Sequence, residues 1–213
     1  MDKKIYIHYG CGQCSPKEWM NFDVSPTLRI QKTPILGWIM RKQLGQKFET
    51  HVKLGDISKG LPGVKENSAE GVYCSHVLEH MSLEDFRKAL RNTYKILKKG
   101  GRFRLIIPDL EPLVLDYIAD KGKRDPNASI TFIKRTLMGT EERPKGVKKL
   151  GRHIFGYLKH LWLWDYDSME KELMDAGFSN LRKCEFNDSE DEMFKLVEKR
   201  ERFELVVKYE AIK

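Results

Sequence analysis

At 213 residues, with 40% hydrophobic and 33% charged positions, the chain has the length and composition of one globular domain able to bury a core. No apolar run is long enough to span a bilayer, the start "MDKKIYIHYG" lacks the apolar stretch of a signal peptide, and four cysteines are too few for a disulfide framework, so a reducing, cytoplasmic setting is expected. A net charge of +8 favours anionic partners such as nucleic acid, phosphorylated or sugar-nucleotide substrates, or an anionic membrane surface, without choosing among them.

Strands are expected at Ile5–Tyr9 and Trp19–Val24, then a helix over Pro34–Leu44, then strands at Val52–Ile57 and Gly71–Val77. Leu83, Phe86, Leu90, Tyr94 and Leu97 recur at helical spacing. Ser82 with Asp85 can cap that helix, and Gly100–Gly101 can end it. Arg102–Ile107 reads as a fifth strand, stopped by Pro108. Past Asp109, Glu111–Asp120 reads as a helix, and Lys121–Leu161 as a basic, irregular insertion over the ligand face. Regularity returns in "DYDSMEKELMDAGF", where Asp167 and Glu170 suit a capping box and Gly177 a C-cap. Two strands near Leu181–Phe186 and Arg202–Glu210 close the chain, with a short helix Glu190–Lys199 between them.

Strands alternating with helices imply parallel βαβ units and a doubly wound α/β sheet. Such sheets bind ligands at the carboxyl ends of their strands. The stretch after the first strand, "GCGQCSP", carries both G-x-G and C-x-x-C. A dinucleotide loop needs a third glycine, where this chain has Ser15, and an acidic residue about 20 positions on. Asp23 comes only about ten residues after Gly12. A carboxylate there suits a ribose bound through both hydroxyls, so the implied ligand is a nucleoside without a pyrophosphate.

S-adenosylmethionine (SAM) is such a ligand, and the sequence resembles the class I SAM-dependent methyltransferases. "HYGCGQ" looks like their glycine loop, with Tyr9, Gly10, Cys11 and Gly12 under the methionine part. "NFDVSP" looks like the strand whose Asp23 takes the ribose. "LGDISKGLP" resembles the segment in which Asp56 meets the adenine amino group and Ile57 lies beside the ring. "VYCSHVLEHM", with Ser75 and His76, and "LKKGGRFRLIIPDL" resemble the fourth and fifth strands, and "WDYDSMEKELMDAGF" the late helix. The ordered match covers nearly the whole chain. It implies a Rossmann-like, seven-stranded, mostly parallel sheet with helices on both faces, as one SAM-dependent methyltransferase domain over residues 1–213. Within the superfamily the likeness is greatest to small methyltransferases associated with polysaccharide or cell-surface glycan synthesis. It differs in carrying His8 before the loop and a long segment Thr27–Glu49.

Cys11 and Cys14 read as loop residues, because a zinc site wants a second ligand pair and Cys74 and Cys184 are isolated. "HVLEH", His76–His80, spells a zinc-protease motif, but His76 follows a strand directly and the motif needs one regular helix. Some quinone-pathway O-methyltransferases hold a divalent metal at this strand end, which His76, Glu79 and His80 could mimic; the weightier reading sets His76 against SAM and gives His80 a local hydrogen bond, with no metal. A poorly nucleophilic acceptor hydroxyl calls for a general base. The candidates are His80, His160 and His76, with His153 from the insertion and Asp109 on the acceptor side. Trp162 and Trp164 could stack on a sugar or base, their alternation turning one inward. Lys145–Arg152 could hold a phosphate. The expected activity is O-methylation of a sugar or other small-molecule hydroxyl, related to a glycan or nucleotide sugar, with peripheral membrane contact open. The alternatives are an RNA or protein methyltransferase, for which no "NPPY"-like motif is found, and a non-catalytic SAM-binding module.

Overall fold

The computed structural model describes residues 4–34, 47–141 and 159–213. The expected helix beyond Pro34, the basic stretch Lys145–Arg152 and His153 lie outside these residues.

Seven strands form one sheet: β1 (Ile5–Tyr9), β2 (Met20–Asp23), β3 (Lys53–Leu54), β4 (Ala69–Ser75), β5 (Leu97–Pro108), β6 (Ser179–Lys183) and β7 (Val206–Ile212). Their order is β3-β2-β1-β4-β5-β7-β6. The first five run parallel; β7 is antiparallel to both β5 and β6. The helices are α1 (Pro26–Lys32), α2 (Leu83–Ile96), α3 (Leu110–Gly122), α4 (Ala128–Arg135) and α5 (Tyr166–Asp175). No helix of the described residues is long and apolar enough to cross a membrane.

The central strands are buried on both faces, so they read as near-continuous apolar runs. Side chains still alternate. Val72 and Cys74 of β4, and Leu105 and Ile107 of β5, enter one core with Phe86 and Leu90 of α2 and Met169 and Leu173 of α5. Tyr73 and Ile106 enter the opposite core with Trp19, Phe194 and Val197. On that side Arg104 of β5 is fully buried. It donates to Glu198 (2.5 Å), Asp188 and Glu210 (3.0 Å each) and the Glu185 carbonyl (2.9 Å). This fixes the segment that leads into β7.

Several boundaries differ from expectation. α2 ends at Ile96, four residues before Gly100, because Leu97 is already paired with Ala69 in β5. The α5 capping box is formed by Asp165 and Ser168 rather than Asp167 and Glu170: Asp165 accepts from Ser168 N at 2.8 Å, and Ser168 Oγ accepts from Asp165 N at 3.2 Å. The third strand is only two residues long, since Ile57–Lys59 turns into a 3-10 helix. The expected helix Glu190–Lys199 is a 3-10 segment, Glu192–Leu196, followed by a second one at Arg200–Arg202. The last two strands begin and end elsewhere, at Ser179–Lys183 and Val206–Ile212.

Candidate active site

The strand order reverses between β1 and β4, so the crevice lies at their carboxyl ends. The loop after β1 turns on two glycines in the left-handed region, Gly10 (φ 66°) and Gly12 (φ 53°). Gly10 lies against Val77, just past β4. Gly12 faces open space: a Cβ there would meet nothing within 4 Å. Cys11 N donates to the Phe22 carbonyl of β2 at 3.1 Å, and Gly12 N donates to Asp23 Oδ2 at 3.0 Å. The loop is therefore tied to the end of β2. Asp23 Oδ1 accepts from Ser25 N at 2.7 Å, which leads the chain into α1, capped by Ser25 and begun by Pro26. Each oxygen of Asp23 keeps a further acceptor position.

Not every expected cofactor residue offers its side chain. Tyr9 is buried, with its hydroxyl 3.2 Å from Thr93 Oγ1. Its period-2 position in β1 sends it into the core, leaving only its backbone at the loop. Ile57 is likewise core. Cys11 packs with Leu28, Phe48 and Val52. Asp56 caps the 3-10 turn, its Oδ1 accepting from Ser58 N (3.0 Å) and Ser58 Oγ (2.7 Å).

The end of β4 carries the chemistry-bearing side chains. His76 N still donates to Ile106 O at 2.9 Å, but His76 itself has φ 54°. That conformation costs a non-glycine residue about 1–2 kcal/mol. It turns the chain into the 3-10 helix Leu78–His80, so no regular helix unites H-x-x-E-H here. His76 Nε2 donates to the Arg202 carbonyl (3.2 Å), and Arg202 Nη1 donates to the Ser75 carbonyl (3.0 Å). Ser75 is buried.

Glu79 is 1% exposed, and neither carboxylate oxygen has a hydrogen-bond donor. His76 Nδ1 and His80 Nε2 lie 3.6 and 3.8 Å from its Oε1. Its backbone carbonyl accepts from Leu161 N (2.7 Å) and Trp162 N (3.2 Å). Leu110 N donates to the Trp164 carbonyl (2.8 Å), and Asp109, the cap of α3, bridges to Trp164. Residues 159–164 thus form a strap across the ends of β4 and β5. Trp164 turns inward and stacks on Phe86 at 4.4 Å; Trp162 stays exposed. The strap sets His160 beside His80, ring centroids 5.2 Å apart. Burial lowers the His160 pKa, with Glu79 opposing and His80 adding to the shift. Burial raises that of Asp109.

Residues 7–105 match a family described as a methyltransferase domain. These residues therefore carry a methyltransferase domain, and the sheet that holds them has the class I methyltransferase fold. Its site fits the cofactor: open space over Gly12, spare acceptor positions on Asp23, and Asp56 at the end of the third strand. Among solved structures the enzyme is similar to a SAM-dependent methyltransferase from Thermotoga maritima, described as a possible histamine N-methyltransferase. The identity is 17% over 100% of this chain and 83% of the other, with a TM-score of 0.51. It is also similar to the CMeT domain of the citrinin polyketide synthase, at 14% identity over 98% of this chain and 46% of the other, TM-score 0.50. At such identities the likeness is one of fold. No curated protein matches the chain.

The structure brings His76, Glu79, His80 and His160 together. Arg202, which holds the Ser75 and His76 backbone and ring, carried no sequence signal: it lies 126 residues from His76 and belongs to no motif.

Proposed function

We propose that the enzyme is a single-domain, cytoplasmic O-methyltransferase acting on a hydroxyl of a sugar or other small glycan-related acceptor, one that carries phosphate. The observation that carries an oxygen acceptor is the placing of His160, from the strap, beside His80 and the buried Glu79 at the end of β4. A hydroxyl needs its proton removed as it attacks, and a positioned base contributes about 10²–10⁴-fold. The net charge of +8 and the basic composition of residues 121–161 favour an anionic acceptor, and the likeness to glycan-associated methyltransferases favours a sugar.

When bound, SAM supplies a methyl group already activated by its sulfonium. The chain's own task is to hold and orient. Gly12 leaves room against the loop backbone. Asp23 takes the ribose hydroxyls on its free acceptor positions, and Asp56 takes the adenine amino group. Tyr9, Gly10, Cys11 and Ile57 shape the floor from the backbone and the core side, and Ser75 and His76 form the wall after β4. Holding two reactants at attack distance accounts for most of the acceleration in such a displacement. His160, kept neutral by burial, accepts the acceptor's proton, with His80 behind it and His76 at the cofactor side.

A methyl-transfer screen with labelled SAM against sugars, nucleotide sugars, quinones and RNA tests the acceptor class. Phosphorylated sugars should take up label. His160→Ala should lower kcat by about 10²-fold or more while SAM affinity holds. Label in RNA alone would refute the sugar reading.

A further inference from the structure

We propose that Glu79, His80 and His160 form a binding site for one divalent transition-metal ion of the zinc class. The three offer one ligand atom each, all within 4.8 Å of one another. Two histidines and a carboxylate are a donor set that suits zinc and its neighbours and leaves an open position for another ligand.

The hydrogen bonds around the cluster point the same way. His80 Nδ1 donates to the Lys159 carbonyl at 2.9 Å, and its Nε2 lies 3.8 Å from Glu79 Oε1. A ligating histidine ordinarily carries this kind of backbone support on its second nitrogen. His76 donates through Nε2 to the Arg202 carbonyl and turns its Nδ1 toward the same carboxylate, at 3.6 Å. A buried carboxylate without a hydrogen-bond donor is costly. His160 Nδ1 is a further buried nitrogen with no hydrogen-bond partner. A positive centre among these atoms relieves both the carboxylate and the His160 nitrogen.

Bonds of about 2.0–2.1 Å place tetrahedral ligand atoms roughly 3.4 Å apart, so the side chains must close by about an ångström. All three sit outside the strands and long helices, two in the 3-10 turn after β4 and one on the strap. His76 remains outside the ligand set, held by Arg202. The ligands differ from a reading of H-x-x-E-H in sequence, because the third comes from the strap, 80 residues on. With the ion bound, His160 is a ligand and no longer the base, and the cation takes over that task by making a coordinated hydroxyl a stronger acid. That consequence rests on the methyl-transfer reading above; ion binding itself does not.

The test is titration of the full chain, stripped with chelator, with Zn²⁺ by calorimetry, and with Co²⁺ by visible absorption. SAM binding is measured on the same preparations. One equivalent of Zn²⁺ should bind, and Glu79→Gln and His160→Ala should each weaken it at least tenfold. Cys14→Ser should leave it unchanged, and the Co²⁺ spectrum should lack a thiolate band. His160→Gln, checked by circular dichroism, serves if His160→Ala fails to fold. No saturable binding, binding indifferent to both Glu79 and His160, or binding lost in Cys14→Ser overturns the proposal. Intact SAM affinity in the same samples would show that the methyltransferase reading survives that failure.

Discussion

A Cβ built on Gly10 would lie 2.1 Å from Val77 Cγ2, so the loop after β1 and the turn after β4 are in contact at a point that admits no side chain. Gly10 also has φ 66°. Gly10→Ala should therefore cost about 1–2 kcal/mol of backbone strain and a further 1–3 kcal/mol of overlap, read as a lowered Tm. Adding Val77→Ala should recover only the overlap part. Gly12 provides the contrast, having open space and φ 53°. Gly12→Ala should fold with the strain penalty alone yet lose more SAM affinity than stability. Equal Tm for Gly10→Ala and wild type would contradict the contact.

His8 should make the protein acid-labile. It is 3% exposed between Trp19 and Tyr73, and its pKa is pushed down to about 3, by burial first and by Arg202 second. The unfolded chain protonates this histidine near its ordinary 6.5 while the folded chain does not. Across that window the unfolded state binds more protons, so stability falls as pH falls from 6.5 toward 3, by up to about 1.4 kcal/mol per pH unit. Denaturant melts from pH 7 to 4 should show this slope, and His8→Gln should flatten it. A slope unchanged in His8→Gln would assign the effect elsewhere.

The C-x-x-C should behave as two separate thiols. Burial pushes the Cys11 thiol far up, with Asp23 adding to it, and raises that of Cys14 against the pull of Lys199 and Arg202. Thiolate is the reactive form. Maleimide at pH 7 should label Cys14 slowly and leave the buried Cys11, Cys74 and Cys184 protected until unfolding. Rapid labelling of Cys11, or a Cys11–Cys14 disulfide under mild oxidation, would contradict this.

What the sequence made legible was local. Gly10 and Gly12 follow the first strand and Asp23 ends the second, and that short spacing implies a nucleoside; the role of Asp56 is what the resemblance implies. What it hid was set by tertiary contact. His160 reaches Glu79 only because the strap pairs Leu161 and Trp162 with the Glu79 carbonyl. The α5 cap differs from expectation because "WDYDS" offers two aspartates two residues apart. Asp165 is the one used, in the frame that buries Met169 and Leu173. α2 stops early because sheet pairing of Leu97 overrides a helical spacing that includes it. Tyr9 and Ile57 are expected at the ligand through the resemblance, while strand alternation and burial turn their side chains to the core.

The central claim is that the ends of β1 and β2 hold the cofactor, and calorimetry with SAM and its demethylated product tests it most directly. Wild type should bind both. Asp23→Ala removes a carboxylate that braces Gly12 and Ser25 and is assigned to the ribose, so affinity should fall by about 1.5–3 kcal/mol, roughly 10- to 150-fold. Unchanged affinity in Asp23→Ala, with the variant folded, would contradict the account.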